Sequence, residues 1–96
     1  MLDHYEFMIE QAKELERALQ TGELPLIDRH ATALKGSAGG FGFPAISRAA
    51  SLVERGIRGG LTVSHLSRAV EDLIYLCNDA AIVTSEHPLR SHENSN

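Results

Sequence analysis

Apolar residues recur along this chain at spacings of three and four, the pattern of helices that turn one face inward. A first helix is predicted over about residues 2–20, where Leu2, Tyr5, Ile9, Ala12, Leu15 and Leu19 form one stripe and Gly22 follows as a stop. A second begins near Pro25, which suits a first turn because its missing N–H has no helical partner there. It carries Leu24, Ile27, Ala31, Leu34 and Ala38 before Gly39, Gly40 and Gly42 weaken it. The third starts at Pro44, carries Ile46, Ala49, Ala50, Val53 and Ile57, and closes at Gly59-Gly60. A fourth begins around Thr62 or Ser64, either able to cap it, and Leu66, Val70, Leu73, Cys77 and Ala80 lead on to about Thr84. Residues 86–96 show no periodicity and are expected to form a disordered tail.

No strand-like alternation and no internal repeat interrupts this pattern. Short connections between apolar-striped helices make antiparallel neighbours, so the expected fold is all-α: an antiparallel up-down four-helix bundle over residues 1–85, with the tail at 86–96. A chain of 96 residues has room for one domain. Its 43% hydrophobic and 23% charged content is that of a globular rather than a disordered chain. A net charge of −4 without a run of Lys or Arg argues against nucleic acid and against anionic membrane surfaces as partners. The single cysteine, Cys77, rules out an internal disulfide and falls in an apolar helical stripe, as a small buried hydrophobe does. No apolar stretch is long enough to span a bilayer, and no signal-peptide pattern opens the chain. A cytoplasmic location is expected.

The chemistry concentrates in Ala31-Thr32-Ala33-Leu34-Lys35-Gly36-Ser37-Ala38-Gly39-Gly40-Phe41-Gly42-Phe43. With Ile27 as the inward direction and about 100° per residue, Ala31, Leu34 and Ala38 stay within about 40° of it. Thr32 falls about 140° round, with Asp28, Lys35 and Gly39 on the same flank and Gly36 just beyond it toward solvent. That strip combines a hydroxyl, a cation that can act as a point charge toward phosphate, and glycines that let another backbone approach. It is no P-loop, because Lys35 precedes the glycines and no strand precedes the run. His4, His65, His87 and His92 share no ligand spacing with cysteines or carboxylates, so no metal and no cofactor is expected. An acid–base pair of Asp28 and Glu54 would need a deep cleft that a short bundle rarely offers, which disfavours an enzyme.

The run resembles the signature of histidine phosphotransfer (HPt) domains: His-x-x-Lys-Gly, small residues, then Gly. It is most similar to the variant in the phosphoryl-bearing N-terminal domain of chemotaxis histidine kinases, which ends Phe-Gly-Phe as this run does. The resemblance covers about residues 5–83, is specific over 31–54, and implies the same four-helix bundle. Three residues before Lys35 stands Thr32, where the family has its phosphorylated histidine. In that family a glutamate on the next helix hydrogen-bonds and orients the histidine, and Glu54 matches it. The resemblance implies a two-component phosphorelay module whose partner is a receiver domain or a kinase catalytic domain. With Thr32 in place of the histidine, the module is expected to dock without relaying. His30 lies about 200° round the helix from Thr32, on the opposite flank, and is the less favoured acceptor. A phosphothreonine is a low-energy ester, and a lone hydroxyl without a placed base is a poor nucleophile. Two alternatives stand beside this reading: an active phosphotransfer protein that uses another histidine or whose sequence carries a His-to-Thr change, and a bundle that self-associates through Phe41 and Phe43. A monomer is expected.

Overall fold

The computed structural model describes the backbone of residues 4–94 and the side chains of residues 5–80. Four helices follow one another: α1 (His4–Thr21), α2 (Leu24–Phe41), α3 (Pro44–Arg58) and α4 (Val63–Asn94). α1 packs on α4 and α2, and α3 packs on α2 and α4, so consecutive helices touch and the first and last close the ring. With links this short the result is the up-down four-helix bundle the periodicity predicted.

The core is assembled from one stripe of each helix. Ile27, Ala31, Leu34 and Ala38 from α2 are fully buried, as are Ala50 and Val53 from α3 and Val70, Leu73 and Cys77 from α4, with Ile46 and Leu66 nearly so. These match the predicted faces. In α1 the buried stripe is Met8, Ala12, Leu15 and Ala18, and Tyr5, Ile9 and Leu19 are only half-buried. Ala12 and Leu15 belong to both stripes, so the predicted face is rotated by part of a turn, with Met8 and Ala18 turned inward and Ile9 and Leu19 at the edge; Leu2 lies outside the described residues. Burial pushes the Cys77 thiol up to about 12, which leaves it a packing residue rather than a nucleophile.

Two further differences concern helix ends. α2 runs straight through Gly39 and Gly40 to Phe41, because Ala38 and Phe41 pack against the core and packing outweighs a weak helix propensity. α4 continues past Thr84 to Asn94, through most of the segment expected to be an irregular tail. No glycine interrupts residues 63–94, and Pro88 is the one residue there without an N–H to donate to the helical ladder. Among the described residues no helix is long and apolar enough to cross a membrane.

The α2–α3 link is closed by Gly42 at φ 88°, with the Phe43 N–H donated back to the Ala38 carbonyl at 2.8 Å. This left-handed closure costs a side chain steric strain that glycine avoids. Nothing lies within 4 Å of where a Gly42 Cβ would stand, so Gly42→Ala isolates the backbone cost. That substitution is expected to destabilise the domain by about 1 kcal/mol, visible in thermal melts as a fall of about 4–8 °C. Gly56 plays a different part: a Cβ there would sit 2.5 Å from Leu66 Cδ2, so its absence lets α3 and α4 approach.

Candidate functional site

Glu54 follows Val53 on α3 and lies at the edge of that helix's buried face, on the side turned to α2. It is 3% exposed and is the one charged or polar residue buried among the described residues. A carboxylate withdrawn from water needs partners, and α2 supplies two. The Thr32 hydroxyl donates to Oε2 at 2.5 Å, and the Lys35 ammonium donates to Oε1 at 2.9 Å. Thr32 and Lys35 are three residues apart on a helix and therefore neighbours on its surface, which is why one carboxylate can bridge them. Arg58, one turn beyond Glu54 on α3, brings Nη2 to 3.9 Å from Oε2. No buried side-chain polar atom among the described residues lacks a partner.

These donors set the charge state. The Thr32 hydroxyl first, then the Lys35 ammonium, hold the Glu54 carboxyl below its ordinary value against the opposing effect of burial. Glu54 is therefore ionised at neutral pH. A carboxyl whose folded pKa lies below its unfolded one contributes stability above the unfolded value, and that contribution is lost as pH falls through the lower, folded value. Melting temperatures compared on either side of pH 4.5, the ordinary value for this group, are expected to fall on the acid side for the unaltered chain. Glu54→Gln should start lower at neutral pH and respond less to acid.

The other predicted residues fall around this trio. Thr32, Gly36 and Gly39 are exposed, and Lys35 keeps 45% of its side chain in solvent. Space around Gly36 is open, and Gly39 faces the Ser47 hydroxyl of α3 across 3.6 Å from its virtual Cβ. Ser47 also donates to the Lys35 carbonyl at 2.8 Å, stitching α3 to α2 beside the site. Asp28, one turn before Thr32, is half-buried and joins none of these bonds. His30 points the other way: its Nδ1 is 2.7 Å from Gln11 Oε1 on α1, so the ring bridges α2 to α1 and not to α3. Phe41, half-buried, sets its ring edge-on to Phe7 of α1 at 6.1 Å between centroids. Two members were not foreseen. Arg58 was signalled by its one-turn spacing from Glu54, whereas Ser47 carried no sequence signal beyond its place in the first turn after Pro44.

The site thus presents an exposed hydroxyl and a half-exposed ammonium on one helix, both tied to a buried anion on the next. Among the described residues no group of His, Cys, Asp and Glu is placed to hold a metal ion. The family model described as Hpt domain matches residues 5–86 of the chain. No curated protein and no solved structure matches it.

Proposed function

The chain belongs to the Hpt domain family, the phosphotransfer modules of two-component phosphorelays, and from that premise we propose that it docks a receiver domain or a kinase catalytic domain without relaying phosphoryl. The docking surface is the α2 flank bearing Thr32, Lys35, Gly36 and Gly39, with Asp28 at its edge. Thr32 occupies the position at which relatives of the chemotaxis-kinase type carry their phosphohistidine, and Phe41-Gly42-Phe43 favours that branch of the family.

The observation that carries this reading is the hydrogen bond from Thr32 to Glu54, completed by Lys35. A carboxylate on α3 meets position 32 of α2, and an ammonium stands beside it, so the groups that would orient and neutralise a phosphorylated imidazole are in place around a hydroxyl. That hydroxyl is not activated. Glu54 is acidified by its donors and so is a weak base toward it. His30, bonded to Gln11, is turned toward α1 and away from Lys35 and Glu54. Phe41 is engaged with Phe7 inside the chain, which supports a monomer over a bundle paired through that ring.

The test is calorimetric titration of receiver domains from the same organism into the unaltered chain and into Gly36→Trp. Gly36 is exposed with open space around it, and glycine is a poor residue for a helix interior, so the variant should fold at least as stably. Binding of a receiver by the unaltered chain and its loss in Gly36→Trp are expected. A receiver bound equally by both proteins would place the interface elsewhere, and no binding by any receiver or kinase domain would end the docking reading.

A further inference from the structure

The charges of this protein are segregated between its two helix pairs. The chain as a whole carries −4, yet α2 and α3 together hold Arg29, Lys35, Arg48, Arg55 and Arg58 against only Asp28 and Glu54. Glu54 is buried and already satisfied, so the outward aspect of this pair is cationic. α1 and α4 carry the excess of carboxylates. On α3, Arg48, Ser51, Leu52 and Arg55 line an open depression of about 230 Å³. Leu52 is 59% exposed, one of three large hydrophobic side chains left in solvent among those described. Neither Arg48 nor Arg55 forms an ion pair with another described residue.

We infer that this depression is a second contact surface, which takes an apolar side chain of the docked partner on Leu52 between carboxylates that pair with Arg48 and Arg55. The inference rests on the reading of the α2 flank as a docking site. Charge complementarity selects an acidic partner surface, since unpaired cations flanking an exposed leucine attract carboxylates and repel basic chains. The exposed arginines of α3 lie between the two surfaces, which selects one partner broad enough to span both. Ser47 borders the site through its hydrogen bond to the Lys35 carbonyl of α2, and Ser51 stands one turn further along the same side of α3, followed round the helix by Arg55 and Arg48. A protein seated over Thr32 and Gly36 reaches Arg55 and Arg48 on the exposed face of α3 and must extend past them to Leu52, which stands about 200° round that helix from Glu54. The combination suits an interface: an exposed leucine that docking would desolvate, flanked by arginines that set orientation.

The experiment titrates the receiver domain that binds the unaltered chain most tightly into Leu52→Asp, into the double variant Arg48→Glu with Arg55→Glu, and into Gly36→Trp. The α3 substitutions fall on exposed side chains, and circular dichroism checks that the helices persist. Leu52→Asp should weaken binding about tenfold or more, as loss of a buried anchor does. The double variant should lose both affinity and most of the dependence of binding on salt. Unchanged affinity in the α3 variants beside a loss in Gly36→Trp would overturn the second surface and leave the docking site standing. Weakening in the α3 variants with no effect of Gly36→Trp would keep the basic surface and move the rest of the interface. Failure of every receiver to bind the unaltered chain would overturn both.

Discussion

On the proposed reading, the unaltered chain is expected to take up no phosphoryl group and Thr32→His to accept one. The substitution places an imidazole where Glu54 can accept a ring N–H, which fixes the tautomer and raises the basicity of the other nitrogen. That nitrogen would attack the phosphorus of an aspartyl phosphate on the receiver. An N–P bond forms, the acyl P–O bond breaks, and the receiver's carboxylate departs with the electron pair. Lys35, held beside the site by Glu54, offers a point charge to the transferred group. Thr32 is exposed, so the larger ring can extend into solvent without disturbing the core. Incubation with a radiolabelled phospho-receiver should leave the unaltered chain unlabelled and give Thr32→His an acid-labile label. Acid-labile label on the unaltered chain would contradict the assignment of position 32 and make His30 the residue to replace next. A receiver that binds both proteins and labels neither would show that docking and transfer geometry are separate here.

The largest expected loss of stability comes from Leu34→Ala. Leu34 is fully buried at the middle of α2, the helix on which most of the proposed docking surface lies. Truncating a buried leucine removes its transfer free energy and leaves a cavity, together about 2–5 kcal/mol. Small domains have a total stability of about 5–15 kcal/mol, so this one substitution removes a large share of it. Urea denaturation should show the midpoint moving sharply down with little change in slope. Leu52→Ala, at a leucine 59% exposed, should leave the midpoint nearly where it was. If both substitutions cost the same, the assignment of inward and outward faces on these two helices would be wrong.

The stripes of α2, α3 and α4 were legible because each holds one row of large or small apolar residues with polar ones elsewhere. α1 was harder. Tyr5, Phe7, Met8 and Ile9 offer apolar side chains on overlapping faces, and only the neighbouring helices decide that Met8 goes in and Ile9 stays at the edge. Helix propensity misjudged the glycines of α2, since it does not register the packing of Ala38 and Phe41. Of the site, Thr32, Asp28, Lys35 and Gly39 could be placed on one flank from spacing alone, with Gly36 just beyond it and His30 on the other. Glu54 could not. A lone glutamate beside Val53 reads as a solvated residue, and its burial depends on donors from another helix that no spacing within α3 reveals. Only the family resemblance set it against position 32.

Thr32 and Glu54 are 22 residues apart in the chain, joined by the single turn at Gly42. Closing so short a loop costs less conformational entropy than closing one that spans most of the chain. The α1–α4 contact, by contrast, must bridge most of the sequence before it forms. Assembly should therefore be sequential, with the α2–α3 hairpin and its carboxylate cluster taking shape early and the outer pair docking late. In kinetic terms, substitutions in the core faces of α1 and α4 should chiefly accelerate unfolding, and those at the hairpin should slow folding itself.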